Sequence, residues 1–144
     1  MGLDSTGSSP VFPTFYMRYD YVYFVNHLKL NTAKKKYFFE VRVTPQIYPL
    51  LQVFHELQII RRFTRLNGTQ YRIFLAWKSH TSPYRMIKVY AHAKNPIVIT
   101  WKALSVLTSR LGHSSLILRT SRGIITHQTA LRLRLGGHLL CLVH

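Results

Sequence analysis

The segment Thr120-Ser121-Arg122-Gly123 sets two hydroxyls and a guanidinium beside a glycine. A hydroxyl both gives and accepts hydrogen bonds, and a guanidinium offers five donors in one plane. At the end of a strand, such a group can read sugar 2′-hydroxyls, base edges and phosphates. The same composition also makes ordinary turns. Arg119 precedes the segment and adds a second cation to it. Trp77 and Trp101 each carry a flat face on which a base can stack, although the core is the commoner place for a lone tryptophan.

Other chemistries lack partners. His55-Glu56 opens like a zinc-protease helix, but Ile59 stands where the second histidine is required. His113, His127, His138 and His144 are scattered, with no nearby cysteine or carboxylate to complete a ligand set. They are expected at the surface or facing RNA, with no metal and no cofactor. Paired-carboxylate catalysis has only Glu40 and Glu56 to draw on, and both fall in elements that read as structural. Cys141 lies in the apolar run from Leu139 to Val143, where a buried inert thiol is expected before a Cys–His nucleophile. Neither enzymatic activity nor a small-molecule substrate is therefore expected. A nuclease acting through His113 or His127 is the catalytic rival, and the shortage of carboxylates argues against it.

Charge gives the partner class. Twenty Lys and Arg face four Asp and Glu, a formal net of +16. The acids are Asp4, Asp20, Glu40 and Glu56, so residues 57 to 144 hold none, yet 14 of the 20 bases lie there. Those bases need an external counter-charge, and a phosphate backbone supplies it. An anionic membrane is the rarer partner and usually needs a basic amphipathic helix, which is not evident. No apolar run reaches the length of a bilayer span. One cysteine excludes an internal disulfide and suits a reducing compartment. Residues 1 to 17 contain Asp4 and no Lys or Arg, which makes a poor secretory or mitochondrial leader. They read as a flexible N-terminal extension.

The elements that must position these groups follow from periodicity. Asp20 is expected to cap a short helix to about Leu30, with Val22, Val25 and Leu28 on one side. Lys34, Lys35 and Lys36 form a basic turn. Phe39, Val41 and Val43 alternate with Glu40 and Arg42 as in a strand. Thr44-Pro45 predicts a helix start, and Ile47, Leu50, Leu51, Phe54 and Leu57 have helical spacing; Pro49 would move that start one turn later. Asn67-Gly68 predicts a hairpin between Ile59–Leu66 and Thr69–Lys78, with Tyr71, Ile73, Leu75 and Trp77 on one face. A strand over Arg85–Tyr90 ends this lobe, and Ala91–Pro96 reads as the connection. The second lobe opens with a β-rich run at Ile97–Trp101. A helix near Leu104–Arg110 and a strand near Leu116–Arg119 follow. Thr126 is expected to cap a helix to about Leu135, stopped by Gly136-Gly137 before a strand at Leu139–Val143. The alternation Leu131-Arg132-Leu133-Arg134-Leu135 would equally permit a strand. The expected fold is α+β in two small lobes, residues 18–90 with helix, strand and hairpin and 91–144 with a mostly antiparallel sheet and short helices.

The C-terminal pattern Thr120-Ser121-Arg122-Gly123-Ile124-Ile125-Thr126, Ala130, Leu135-Gly136-Gly137, Cys141 and Val143 resembles the universal small-subunit ribosomal protein number-eight family. The spacing matches without a gap from Ser115 to the end. Looser similarity covers Asp20 to Phe63, and Pro96 with Trp101-Lys102 resembles the family's entrance to its second lobe. The resemblance implies an early-assembling structural protein that binds a helix in the central domain of small-subunit rRNA, beside neighbouring small-subunit proteins. It implies that Thr120, Ser121 and Arg122 enter the minor groove with Gly123 permitting the turn, that Gly136 and Gly137 stand beside the last strand, and that Trp101 and Lys102 mark the entrance. Arg119 replaces the family's usual serine, and His138 replaces its glutamate. A carboxylate accepts hydrogen bonds, whereas a charged imidazole donates them, so the RNA site is expected to have changed in step. This divergence and the aromatic richness point to a mitochondrial ribosome, with a plastid or bacterial cytoplasm as alternatives. A stand-alone RNA-binding repressor or processing factor could use the same surface.

Overall fold

In the computed structural model, the backbone is described for residues 11–90 and 97–144 and side chains for residues 21–90 and 97–144. The first helix, α1 (Val11–Ala33), is 23 residues long. It begins nine residues before Asp20, so Asp20 lies inside the helix and does not cap it. Residues 11–17, expected within an extension, form its first turns, while residues 1–10 and the connection 91–96 lie outside the described residues. Val25 and Leu28 are buried as the helical spacing predicts.

Strand β1 (Phe38–Arg42) alternates exposed and buried, which fixes its inward face as Phe39 and Val41. Helix α2 (Tyr48–Glu56) starts a turn after Thr44-Pro45, with Ile47 at the cap and Pro49 in the first turn, where a missing N–H costs nothing. Two consecutive amides, of Ile47 and Tyr48, bond the Thr44 carbonyl in the turn leading in. Strands β2 (Ile60–Asn67) and β3 (Gln70–Leu75) form the predicted hairpin, with Gly68 at φ +47° in its tip. The three strands form an antiparallel sheet in the order β1-β3-β2.

After β4 (Ile87–Val89) and β5 (Val98–Ile99), the second lobe contains α3 (Trp101–Leu111), β6 (Ser115–Thr120), β7 (Gly123–Thr126), α4 (His127–Leu133) and β8 (Gly137–Val143). Strand β8 is central, with β6 on one edge and β4 and β5 in succession on the other, and β7 lies outside β6. Strand β7 was not foreseen. Leu131–Leu135 resolves as helix through Leu133, because Thr126 accepts a hydrogen bond from the Thr129 amide and starts α4. Arg134, not Gly136-Gly137, stops it by taking a left-handed conformation at φ +57°.

The two lobes share a core. Successive residues of β6 face opposite ways: Ile117 joins Phe24, Leu28, Leu51 and Phe54 of the N-terminal lobe, while Leu116 and Leu118 pack with Leu104 and Ala130 of α3 and α4. The larger cluster runs unbroken from Tyr21 to Val143. Covering both faces explains why β6 and β8 read as continuous apolar runs in an antiparallel sheet. Each fully buried aliphatic side chain contributes about 1.5–3 kcal/mol before its ordering cost.

Candidate nucleic-acid interface

The Thr120–Gly123 segment is the tip of the β6–β7 hairpin, with Thr120 paired to Gly123 across it. The Thr120 hydroxyl donates to the Gly123 carbonyl at 2.9 Å and accepts from the Arg122 amide at 3.1 Å. It therefore ties the turn from inside. Gly123 stands at φ +96°, a backbone region that side chains make costly. Ser121 and Arg122 are exposed and make no side-chain hydrogen bond within the described residues. The tip thus divides its labour: Thr120 and Gly123 hold the shape, and Ser121 and Arg122 present a hydroxyl and a guanidinium outward.

Gly136 and Gly137 locate the tip relative to Trp101. A Cβ on Gly137 would lie 2.5 Å from the Arg119 carbonyl oxygen and 2.9 Å from the Thr120 methyl carbon. A Cβ on Gly136 would lie 2.5 Å from the Ile99 carbonyl oxygen and 3.0 Å from the Thr100 Cα. The two glycines are therefore a close-packed joint between the β6 end and the start of α3. Thr100 caps α3 by accepting from the Ala103 amide at 3.2 Å, and Lys102 is exposed in the first turn. Trp101 is half-buried. Its indole N–H donates to the Leu131 carbonyl at 3.2 Å, and the Arg134 guanidinium lies 5.7 Å from its ring centroid. A single tryptophan thus serves as both packing and border. His138 pairs with Arg119 on one side and Val98 on the other, so Arg119 and His138 are direct neighbours in the sheet.

Of the ten residues expected at an RNA site, strand pairing and the glycine contacts join Arg119, Thr120, Gly123, Gly136, Gly137 and His138; Ser121 and Arg122 form the exposed tip between them, and Trp101 and Lys102 open α3 beside the Gly136 contact. Two neighbours of these residues were not foreseen. Thr100 fixes where α3 starts, and a threonine ahead of an apolar-periodic run was the available signal. Arg134 reaches Trp101 from the end of α4, a contact that no local pattern encodes. Among the described residues, Arg119, Arg122, Arg132 and Arg134 have no carboxylate partner, and the ion pair, Arg72 with Glu40 at 2.7 Å, lies in the other sheet. Uncompensated guanidiniums around an exposed hydroxyl suit a phosphate-bearing ligand.

The remaining titratable residues are placed differently from expectation in one case. His127 is buried, not at the surface or facing RNA, and its Nδ1 accepts from the Leu116 amide at 3.2 Å. Burial pushes its pKa down, and the lone pair that receives this amide requires the neutral ring. Cys141 is buried, and desolvation pushes its thiol up to about 12. A thiol so placed is a poor nucleophile at neutral pH. Trp77 packs at the edge of the larger core and donates its indole N–H to the Lys36 carbonyl at 2.8 Å. Glu40 and Glu56 do not share a cleft: Glu40 pairs with Arg72 on the three-stranded sheet, and Glu56 ends α2. No helix among the described residues is long and apolar enough to cross a membrane.

No curated protein matches the chain. The family model for ribosomal protein S8 matches residues 24–144, a span that takes in both sheets, the shared core and the β6–β7 tip. Over this span the chain belongs to the ribosomal protein S8 family, whose members are structural, rRNA-binding proteins of the small ribosomal subunit.

Proposed function

We propose that this chain binds a helix in the central domain of small-subunit rRNA through its second lobe, with the Thr120–Gly123 tip entering the minor groove. The observation that carries this reading is the tip itself. It projects Ser121 and Arg122 into solvent on a turn tied by Thr120, within a lobe that holds cations and no acids. Two terms then add. The unpaired bases give a long-range attraction that weakens as salt rises. The Ser121 hydroxyl and Arg122 guanidinium read 2′-hydroxyls and groove shape, which select the place. Trp101 and Lys102 border the surface at the α3 end, and Arg119 with His138 supply donors where the family has a serine and a glutamate. The particle proposed is a mitochondrial small subunit, on the strength of those two departures and the aromatic-rich composition.

Filter binding to a central-domain rRNA fragment tests the tip. Arg122→Ala should weaken binding by about 1–3 kcal/mol, and Thr120→Ala with Ser121→Ala should reduce discrimination against unrelated duplexes. Unchanged affinity and selectivity in both variants would remove the tip from the mechanism. Co-migration with mitochondrial small subunits at stoichiometric yield in a density gradient is the result expected of a subunit protein. A free repressor or processing factor would stay near the top.

A further inference from the structure

The outer face of the three-stranded sheet carries a surface unlike the rest of the lobe. Strand register sets Phe38, Phe74 and Arg62 in one row and Glu40, Arg72 and Thr64 in the next. The Phe38 and Phe74 rings lie 5.7 Å apart, tilted by 38°. The Arg62 guanidinium sits 4.2 Å from the Phe74 centroid, and that of Arg72 sits 5.3 Å from the Phe38 centroid. Phe38 nonetheless remains 46% exposed. Its neighbour Tyr37 is 69% exposed, beside Arg61 and Arg62. The core gains nothing from these rings, because β1 faces it with Phe39 and Val41.

Two features define the partner. Alternating rings and guanidiniums make a flat surface on which nucleobases stack, whatever their identity. The face is also cationic: its carboxylate, Glu40, is occupied by Arg72 through two hydrogen bonds of 2.7 and 3.1 Å, which leaves Arg62 and Arg42 without a carboxylate partner among the described residues. We infer that this face is a second RNA surface, which takes unpaired nucleotides by stacking on Phe38, Phe74 and Arg62. An apolar protein surface could cover the rings, but it would bury these guanidiniums without counter-charge. The inference stands apart from the reading of the β6–β7 tip, which concerns a helix.

The test uses the full chain and two probes: a fluorescent oligouridylate of about 12 nucleotides, long enough for one such platform, and a central-domain rRNA hairpin. Phe38→Ala should weaken oligouridylate binding by about 5-fold or more, the low end of one lost base stack. Arg62→Lys keeps the charge and loses the planar group, and it should also weaken that probe. The Thr120→Ala, Ser121→Ala variant should leave oligouridylate binding unchanged and affect only the hairpin. Unchanged oligouridylate affinity in both Phe38→Ala and Arg62→Lys would overturn the inference. So would a loss in Arg62→Ala that Arg62→Lys fully restores, since charge alone would then suffice. Oligouridylate binding no tighter than that of a duplex of equal charge would overturn it as well.

Discussion

The five-stranded sheet is covered on both faces, by the N-terminal helices on one side and by α3 and α4 on the other. Among the described residues, the three-stranded sheet is covered on one face and open on the other. Because its faces are spent on packing, the larger sheet can offer chemistry only at its margin, where the β6–β7 tip emerges. The smaller sheet offers a whole face, on which every second residue of β1 is exposed. A rigid margin suits recognition of one shaped helix. An open face suits a contact tolerant of sequence.

The largest expected effect tests the double coverage. Ile117 is fully buried and touches the N-terminal lobe across the sheet, so Ile117→Ala should cost about 2–5 kcal/mol. Because the core is shared, single-tryptophan variants reporting from Trp77 and Trp101 should show one coincident denaturant transition that shifts together. Separate midpoints would mean that the lobes unfold independently. Next comes the margin. Gly137→Ala drives a methyl against the Arg119 carbonyl and the Thr120 methyl group, which should cost about 1–3 kcal/mol. It should also weaken rRNA binding beyond the stability loss, measured on protein shown by circular dichroism to be folded.

One pH effect belongs to the covered sheet. The folded pKa of His127 is depressed below 6.5, so the unfolded chain takes up the proton first. Its contribution to stability is complete above pH 6.5 and is lost as pH falls below that value toward the folded pKa. Thermal melts should therefore decline on acidification in this window, and His127→Asn should flatten the slope. The smallest effect is on the open face. Glu40 and Arg72 are 45% and 40% exposed, so Glu40→Gln should change unfolding free energy by less than about 1 kcal/mol.

Much of this was legible from local pattern. Asn67-Gly68 specified its hairpin, Thr126 its helix, and alternation around Val41 its inward face. Pro49 correctly moved the start of α2. The errors came where tertiary contacts decide. Strand β7 is four residues squeezed between a turn and a helix cap, too short for periodicity to register. The upstream turns of α1 start in a stretch rich in Pro, Ser and Thr, where helix propensity is low. Gly136 and Gly137 read as a helix stop because glycine commonly serves there, but their absent side chains are needed for close approach, and Arg134 ends the helix instead. His127 looked polar and therefore external, and only the Leu116 amide across the sheet explains its burial. The β6–β7 tip stood out in the sequence because its hydroxyls, guanidinium and glycine are adjacent. The division of labour within the tip was not legible, since it depends on where one hydroxyl points.

The burial of Cys141 gives the molecule an internal clock. Its sulfur lies in the central strand of the large sheet, which pairs with β4, β5 and β6, and at neutral pH almost none of it is thiolate. An alkylating reagent can reach it only while that strand is transiently exposed. Labelling of this one atom therefore times the opening of the whole domain, and any ligand that holds the native form must slow it.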